Sequence, residues 1–371
     1  MKILQIGKFY PIRGGIEKVM YNIMLGLSRK GICCDMLCAA EDQHPGIIRI
    51  NDNARILCVP TWKKVSGTMI APCMISELYR IKSQYDVVHI HHPDPMAALS
   101  LFLSGYRGKV VLHWHSDIFK QRLLLKFYRP LQNWLIKRAD IIVGTTPVYV
   151  QQSPFLQRVK TKLTCIPIGI DQPVFNPQKV AQIKACYPER KIIFSLGRLV
   201  GYKGYRYMIE SARYLNNDCV ILIGGAGPLK EDLEKIIRLY GLEDRVKLLG
   251  YISDDDLPGY YGACDIFCLS SIQKNEAFGI VQIEAMSYGK PVVATRIKES
   301  GVSWVNAHGK SGFNVAPGEG RPLADAISTI LFTPKLYAIL SEGAYQRFQT
   351  MFSIEIMTEH CLELYNKVLS Q

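Results

Sequence analysis

Short apolar runs alternate with helical patterns along the whole chain, and the alternation restarts near its middle. Lys2–Ile6, Asp86–Ile90, Val110–His113, Asp140–Val143 and Leu163–Ile166 are brief runs rich in β-branched residues. Each predicts a buried strand, and Glu17–Leu27 predicts an amphipathic helix after the first of them. A polar stretch with Pro173 and Pro177 follows Pro167-Ile168-Gly169-Ile170-Asp171 and reads as a linker. Beyond it, Lys191–Leu196, Val220–Ile223, Val246–Leu248, Ile266–Leu269 and Pro291–Ala294 repeat the strand pattern with helical segments between. Strands alternating with helices imply parallel sheet with helices on both faces. The expectation is an α/β chain of two doubly wound, Rossmann-like domains. Ligands of such sheets sit beyond the carboxyl ends of the strands, so two facing sheets would place chemistry in a central cleft.

Length agrees: 371 residues exceed one ordinary α/β core. The hydrophobic content of 48% is that of a globular protein. Eleven cysteines are scattered along the chain, several inside apolar runs, which predicts reduced buried thiols rather than a disulfide framework or a metal site. The opening apolar run is too short for a signal peptide, and no stretch reaches the roughly 20 apolar residues that span a bilayer. A cytosolic protein is expected.

The most informative stretch is Asn275-Glu276-Ala277-Phe278-Gly279-Ile280-Val281-Gln282-Ile283-Glu284. It reads as a loop entering a buried helix, with one carboxylate before the helix and one about a turn inside it. A helix N-terminus offers unpaired N–H groups and a positive dipole end to a phosphate, and flanking carboxylates accept from hydroxyls on either side. That suits a sugar nucleotide. Two unrelated solvated glutamates would give the same spacing.

Three glycine-rich turns follow predicted strands. Pro11–Glu17 contains Gly14 and Gly15; Gly197–Gly204 contains Arg198 and Lys203; Gly224-Gly225-Ala226-Gly227-Pro228 is interrupted by its proline. Glycines by themselves mark turns. Arg198 and Lys203 add a planar fork and a mobile point charge, which suit a diphosphate.

His113 and His115 flank Trp114 at a strand end, and alternation puts both rings on one face. Neither they nor His89, His91 and His92 show zinc-like spacing. A satisfied structural histidine fits His113, while His115 is the better functional candidate. Asp254, Asp255 and Asp256 read as acids at a helix start rather than as metal ligands.

The net charge of +13 calls for anionic partners. Residues 120–138 hold six cations and no acid among large apolar side chains. Such a segment can lie on an anionic membrane surface, and a core-facing helix with a basic outer face gives the same pattern. No nucleic-acid reading motif accompanies the charge, so nucleic acid is not expected as a partner.

In order and spacing, Gly14-Gly15-x-Glu17, His115, Pro167-x-Gly169-x-Asp171, Gly197-Arg198 with Lys203 and Gly204, Gly224 through Pro228, and Glu276-x7-Glu284 resemble the retaining glycosyltransferases of family 4. The resemblance covers nearly the whole chain and implies the GT-B fold. It implies an acceptor-side domain over residues 1–170, a donor-binding domain over 171–351, and a final helix (352–371, with Phe352–Leu369 as its core) packing back on the first. By matching position it implies that Arg198 and Lys203 bind the diphosphate and neutralise the leaving group. Gly14 and Gly15 would meet the phosphate by backbone, and Glu276 would hold hydroxyls of the donor sugar. Phe278, Gly279 and Ile280 would approach that sugar by main chain, Glu284 would bind the ribose, and His115 would lie near donor sugar and acceptor. The catalytic set so implied is His115, Arg198, Lys203 and Glu276, with a UDP- or GDP-sugar as donor and neither metal nor cofactor. The expected setting is bacterial O-antigen, capsule or exopolysaccharide assembly on a lipid-linked or oligosaccharide acceptor, at the inner face of the cell membrane. A soluble sugar-phosphate synthase or epimerase, or a non-catalytic nucleotide- or carbohydrate-binding partner, is the alternative.

Overall fold

The computed structural model describes the chain apart from residues 13, 42–44, 66–67 and 119–121, and apart from the side chains of residues 122–124. It divides into two compact units. One comprises Met1–Asp171 together with Ser353–Gln371, the other Gln172–Phe352.

In the first unit the strands are β1 (Lys2–Tyr10), β2 (Cys33–Ala40), β3 (Gly46–Asn51), β4 (Ala54–Val59), β5 (Lys63–Val65), β6 (Thr68–Ile70), β7 (Val87–His92), β8 (Lys109–Trp114), β9 (Ile141–Gly144) and β10 (Leu163–Cys165). Eight form one sheet in the order β10-β9-β8-β7-β1-β2-β4-β3, parallel except for the edge pair β3–β4; β5 and β6 make a separate hairpin. The central strands are buried on both faces, every residue of β7 included. This is why they read as continuous apolar runs rather than alternating ones. No predicted strand falls on β2, β3, β4, β5 or β6. β2, Cys33-Cys34-Asp35-Met36-Leu37-Cys38-Ala39-Ala40, lacks β-branched residues altogether, and its place beside β1 is decided by burial of its side chains.

The helix Gly15–Arg29 follows β1, one turn longer than the predicted Glu17–Leu27. The helix Ile354–Leu369 packs along it: a Cβ at Gly26 would stand 2.0 Å from Thr358 Oγ1. The predicted start at Phe352 moves to Ile354 because Ser353 caps the helix, its Oγ accepting from Ile356 N at 3.4 Å. Phe352 itself ends a π-helical turn, Phe348–Phe352, in the second unit. The last helix is tied to the crossover by Ile354 N donating to Ile170 O at 2.9 Å.

The second unit carries β11 (Lys191–Leu196), β12 (Cys219–Gly224), β13 (Val246–Gly250), β14 (Ile266–Leu269), β15 (Val292–Thr295) and β16 (Gly312–Val315). They form a parallel sheet in the order β13-β12-β11-β14-β15-β16. β16 is the strand of this unit missing from the sequence reading. The order reverses on either side of β11, which is where a doubly wound sheet opens a crevice for ligands.

Among the described residues, no single helix is long and apolar enough to cross a membrane. All eleven cysteines are free thiols.

Candidate active site

In the second unit, the loop after β11 carries the two predicted cations. Arg198 is exposed at the strand end, and Lys203 closes the short 3-10 turn Gly201–Lys203. The neighbouring turn after β12 supports this loop. Leu199 N donates to Ala226 O at 2.9 Å, Gly197 N to Gly224 O at 3.0 Å, and Leu229 N to Leu199 O at 3.1 Å. A Cβ at Gly225 would stand 2.0 Å from the Gly197 carbonyl oxygen, and its φ of +128° disfavours any side chain. The third glycine-rich turn therefore braces the second.

Lys203 Nζ lies 2.5 Å from Glu276 Oε2, with side-chain exposures of 10% and 11%. Ser271, just past β14, donates to the same oxygen at 2.9 Å, and Ser270 Oγ holds the Lys203 carbonyl at 2.9 Å. Ser300 Oγ donates to the Glu276 carbonyl. Cation and carboxylate are thus fixed at the carboxyl ends of the adjacent strands β11 and β14. Four residues after Glu276 the helix Ile280–Ser287 begins, with Gly279 as its N-cap. Phe278 is buried, its ring edge-on to Phe352 at 5.9 Å. The predicted loop entering a helix is present, and Glu284 lies one turn inside it.

Glu284 receives the Tyr261 hydroxyl at 2.7 Å. Tyr261, on the helix Leu257–Ala263, is wedged between Phe194, Phe267 and Tyr288. Burial, and after it the Glu284 charge, push this phenol well above its usual range, so it is a permanent donor. Nothing in the sequence marks Tyr261, since an aromatic inside a helical run carries no sign of its partner.

The acids Asp254–Asp256 need a correction. Asp256 stands at the N-cap, but its side chain makes no cap bond. Ser253 Oγ accepts from Asp256 N at 3.1 Å, and the Asp256 carboxylate pairs with Lys179 at 2.6 Å. The serine caps, and the acid makes an ion pair.

In the first unit, Gly14 is the N-cap of the helix Gly15–Arg29, and a Cβ there would lie 2.0 Å from Glu17 Oε2. Glycine at 14 lets the Glu17 carboxylate fold back over the helix start. Burial raises the pKa of Glu17. Arg13, in the same turn, lies outside the described residues.

His115 follows β8. His89, His91, His113 and His115 project from one face of β7 and β8, where His91 is paired with His113 in register. Their rings stack: His113 on His115 at 4.1 Å, His89 on His91 at 4.6 Å, His91 on His113 at 5.2 Å. Burial drives all four pKa values down, His113 to about 3 and the others well below the usual imidazole range. His89, His91 and His113 bring nitrogens within 4.8 Å of one another. With interplanar angles of 22°, 7° and 23°, their in-plane lone pairs run side by side instead of converging on one ion. The His113 nitrogens are both buried without a partner. The loop beyond His115 is anchored by Trp114 Nε1 donating to Asp117 Oδ1 at 2.8 Å, an oxygen that Ser153 also reaches at 2.7 Å.

The basic segment is the helix Arg122–Arg138 in its described part; Lys120 and Gln121 lie outside the described residues. Gln132, Leu135 and Ile136 face the core, whereas Lys126, Phe127 and Arg129 face outward, Phe127 with 80% of its surface exposed. Arg138 is not a surface charge but a brace, bonding the carbonyls of Tyr106 and Gly108 at 3.2 and 2.5 Å.

The structure therefore brings Lys203 and Glu276 into contact, with Arg198 on the same loop as Lys203 and Glu284 one turn into the helix that follows Glu276. Gly14, Gly15 and His115 belong to the other unit.

Two doubly wound units, with paired charges at strand ends and an acid-flanked helix start, are features of glycosyltransferases of the GT-B class. Residues 13–172 match Glycosyltransferase Family 4 and residues 178–347 match Glycosyl transferases group 1, and the chain belongs to this family. It is 27% identical over 373 residues to the O-antigen chain mannosyltransferase C of Escherichia coli, covering 100% of this chain and 99% of the relative. It is 28% identical to the D-rhamnosyltransferase WbpZ of Pseudomonas aeruginosa, covering 95% and 92%. The fold is shared with HepE of Anabaena, solved in complex with UDP, at a TM-score of 0.79 and 21% identity, covering 99% and 100% of the two chains.

Proposed function

We propose that this glycosyltransferase moves one sugar from a nucleoside-diphosphate sugar to a lipid-linked or oligosaccharide acceptor in the assembly of a bacterial surface polysaccharide. The observation that carries the donor assignment is the buried Lys203–Glu276 pair at the carboxyl ends of β11 and β14, with Arg198 on the same loop. In glycosyl transfer, negative charge develops on the departing diphosphate, and cations fixed in advance stabilise it where it forms. Lys203 and Arg198 take that role. Glu276 accepts from hydroxyls of the sugar, Phe278, Gly279 and Ile280 line it by main chain, and Glu284 accepts from the ribose. Gly14 and Gly15 are assigned to the phosphate, and His115 to the sugar, by matching position with the family. Transfer proceeds with retention and without a metal, the leaving phosphate assisting loss of the acceptor's proton.

The polysaccharide setting is supported by the relatives, named for O-antigen chain mannosyl transfer and for D-rhamnosyl transfer. The nucleotide is supported by HepE, solved with UDP and with UDP-glucose. A peripheral position on an anionic membrane face is supported by Lys126, Phe127 and Arg129 on the outer face of their helix.

A soluble acceptor is the second reading. It is favoured by 28% identity over 305 residues to the mannosylfructose-phosphate synthase of Agrobacterium fabrum, which spans 77% of this chain. One experiment separates the donor and acceptor questions. A thermal-shift screen of UDP, GDP, ADP and their sugars selects the donor, because a specific ligand raises stability by mass action. Transfer from that donor to undecaprenyl-linked and to free sugar acceptors, with the anomer read by NMR, then tests acceptor and retention. No stabilisation by any nucleotide, or stabilisation unchanged in Glu284→Ala, overturns the donor site.

A further inference from the structure

Three hydrogen bonds of the first unit form a directional chain. Gln5 Nε2 donates to the Met20 carbonyl at 2.8 Å, which fixes the orientation of the amide: a flipped carboxamide would set oxygen against oxygen. Gln5 Oε1 is therefore the acceptor facing His91 Nε2 at 2.8 Å, and that nitrogen must carry a hydrogen. His91 is wholly buried, and no acidic side chain is hydrogen-bonded to it. A neutral ring protonated at Nε2 has its lone pair at Nδ1. His91 Nδ1 lies 2.9 Å from His115 Nε2, so His115 must be the donor of that bond.

We infer that Gln5 and His91 are positioning residues that hold His115 as its Nε2–H tautomer, which makes Nδ1 the acceptor for a hydroxyl of the sugar substrate. The substrate contact rests on the reading of His115 as a residue of the sugar site; the tautomer does not. The backbone adds to the fixing, since His115 N donates to the His92 carbonyl at 3.1 Å across β7 and β8. The ring therefore stands just past the carboxyl end of β8 with its orientation set from beneath. Without the chain, either tautomer would satisfy the ring, and a donor and an acceptor would face the substrate in a mixture. A sugar hydroxyl that must give up or share its proton needs the acceptor.

The test is nitrogen NMR of the full-length protein labelled at histidine, with the His115 ring assigned by its loss in His115→Asn. At neutral pH, Nδ1 of His115 is expected at an unprotonated shift and Nε2 at a protonated one. Gln5→Leu, which removes the last acceptor, is expected to move both towards intermediate values. A protonated Nδ1 in the parent protein overturns the relay whatever the variant does. In the second arm, UDP-glucose, UDP-galactose and GDP-mannose are added in turn, with binding followed by calorimetry. A bound donor sugar is expected to shift Nδ1 and leave Nε2 in place. A donor that binds and leaves Nδ1 unmoved overturns the substrate contact, and with it the placement of His115 in the sugar site, while the tautomer result stands apart.

Discussion

Lys203 and Glu276, 73 positions apart in the chain, form a nearly buried ion pair 2.5 Å long at the ends of neighbouring strands. Removing one partner of such a pair leaves an uncompensated charge, which commonly costs about 3–5 kcal/mol. Lys203→Ala is therefore expected to lower stability by about 3 kcal/mol and turnover by about a hundredfold or more. Arg198→Ala should lower turnover comparably and leave stability within about 0.5 kcal/mol, because Arg198 is exposed. Chemical denaturation and steady-state kinetics on the two variants check this. Near-normal turnover in a folded variant removes that residue from the diphosphate role.

Tyr261 and Glu284 make a second prediction. Deleting the phenol hydroxyl in Tyr261→Phe removes one donor that orients Glu284 and should weaken nucleoside-diphosphate binding about tenfold, the equivalent of about 1.4 kcal/mol. The loss should vanish for nucleotides lacking the 2′ and 3′ hydroxyls. Calorimetry showing equal losses for ribo- and dideoxynucleotides would mean that the pair is structural only.

Metal removal is the third. Activity is expected to survive excess EDTA, since the proposed function gives the diphosphate Lys203 and Arg198 as its cations. Activity lost to the chelator and restored by manganese or magnesium would sink the metal-free mechanism.

The histidine stack makes stability depend on pH. His113 is buried and neutral, its pKa lowered from 6.5 to about 3. Between those values the unfolded chain binds a proton that the folded chain does not, so stability is lost as pH falls from about 6.5 towards 3, at up to about 1.4 kcal/mol per pH unit for this one ring. His113→Phe removes that proton and two unpartnered nitrogens. Its denaturation midpoint should fall less steeply with acid than the parent's by up to one proton. An identical slope would show that His113 titrates normally.

The fifth prediction concerns the outer face of the helix Arg122–Arg138. Replacing Lys126 and Arg129 with Gln should weaken binding to anionic vesicles by up to about thirtyfold at low salt, at roughly 1 kcal/mol per basic residue near the surface. The difference should shrink as ionic strength rises. Sedimentation at two salt concentrations decides it, and unchanged binding would leave this face simply solvated.

Which parts of this could be read from sequence follows from local chemistry. β11 and β14 run over the predicted residues because Ile, Phe and Leu strings with β-branched members specify a buried parallel strand by themselves. β2 was illegible because cysteine, methionine and alanine carry no strand preference, and only the sheet around them makes one. The same limit applies to the site. Arg198 and Lys203 announce themselves by charge beside glycine, and Glu276 and Glu284 by bracketing an apolar run that holds Gly279, but the contact of Lys203 with Glu276 spans two strands and no spacing rule contains it. Asp256 shows the converse. A local rule gave it a helix cap, and Lys179, far away in sequence, took the carboxylate instead. The tautomer of His115 depends on Gln5 and Met20, close in space but far earlier in the chain, beyond any local pattern.

The return of the helix Ile354–Leu369 to the first unit bears on how the chain is made. Tyr365 meets His89 Nδ1 at 2.6 Å, and Met357 Sδ receives Gly169 N at 3.1 Å, so the early strands are completed by residues synthesised long after them. At roughly 5–20 residues per second, the ribosome needs on the order of 10–40 s to pass from the crossover to Leu369. Throughout that interval the amino-terminal sheet waits with one flank uncovered, while the contiguous second unit emerges and can close on its own. The unit begun first is completed after the second has emerged, and a nascent chain stalled before Ile354 would present that flank to chaperones and proteases.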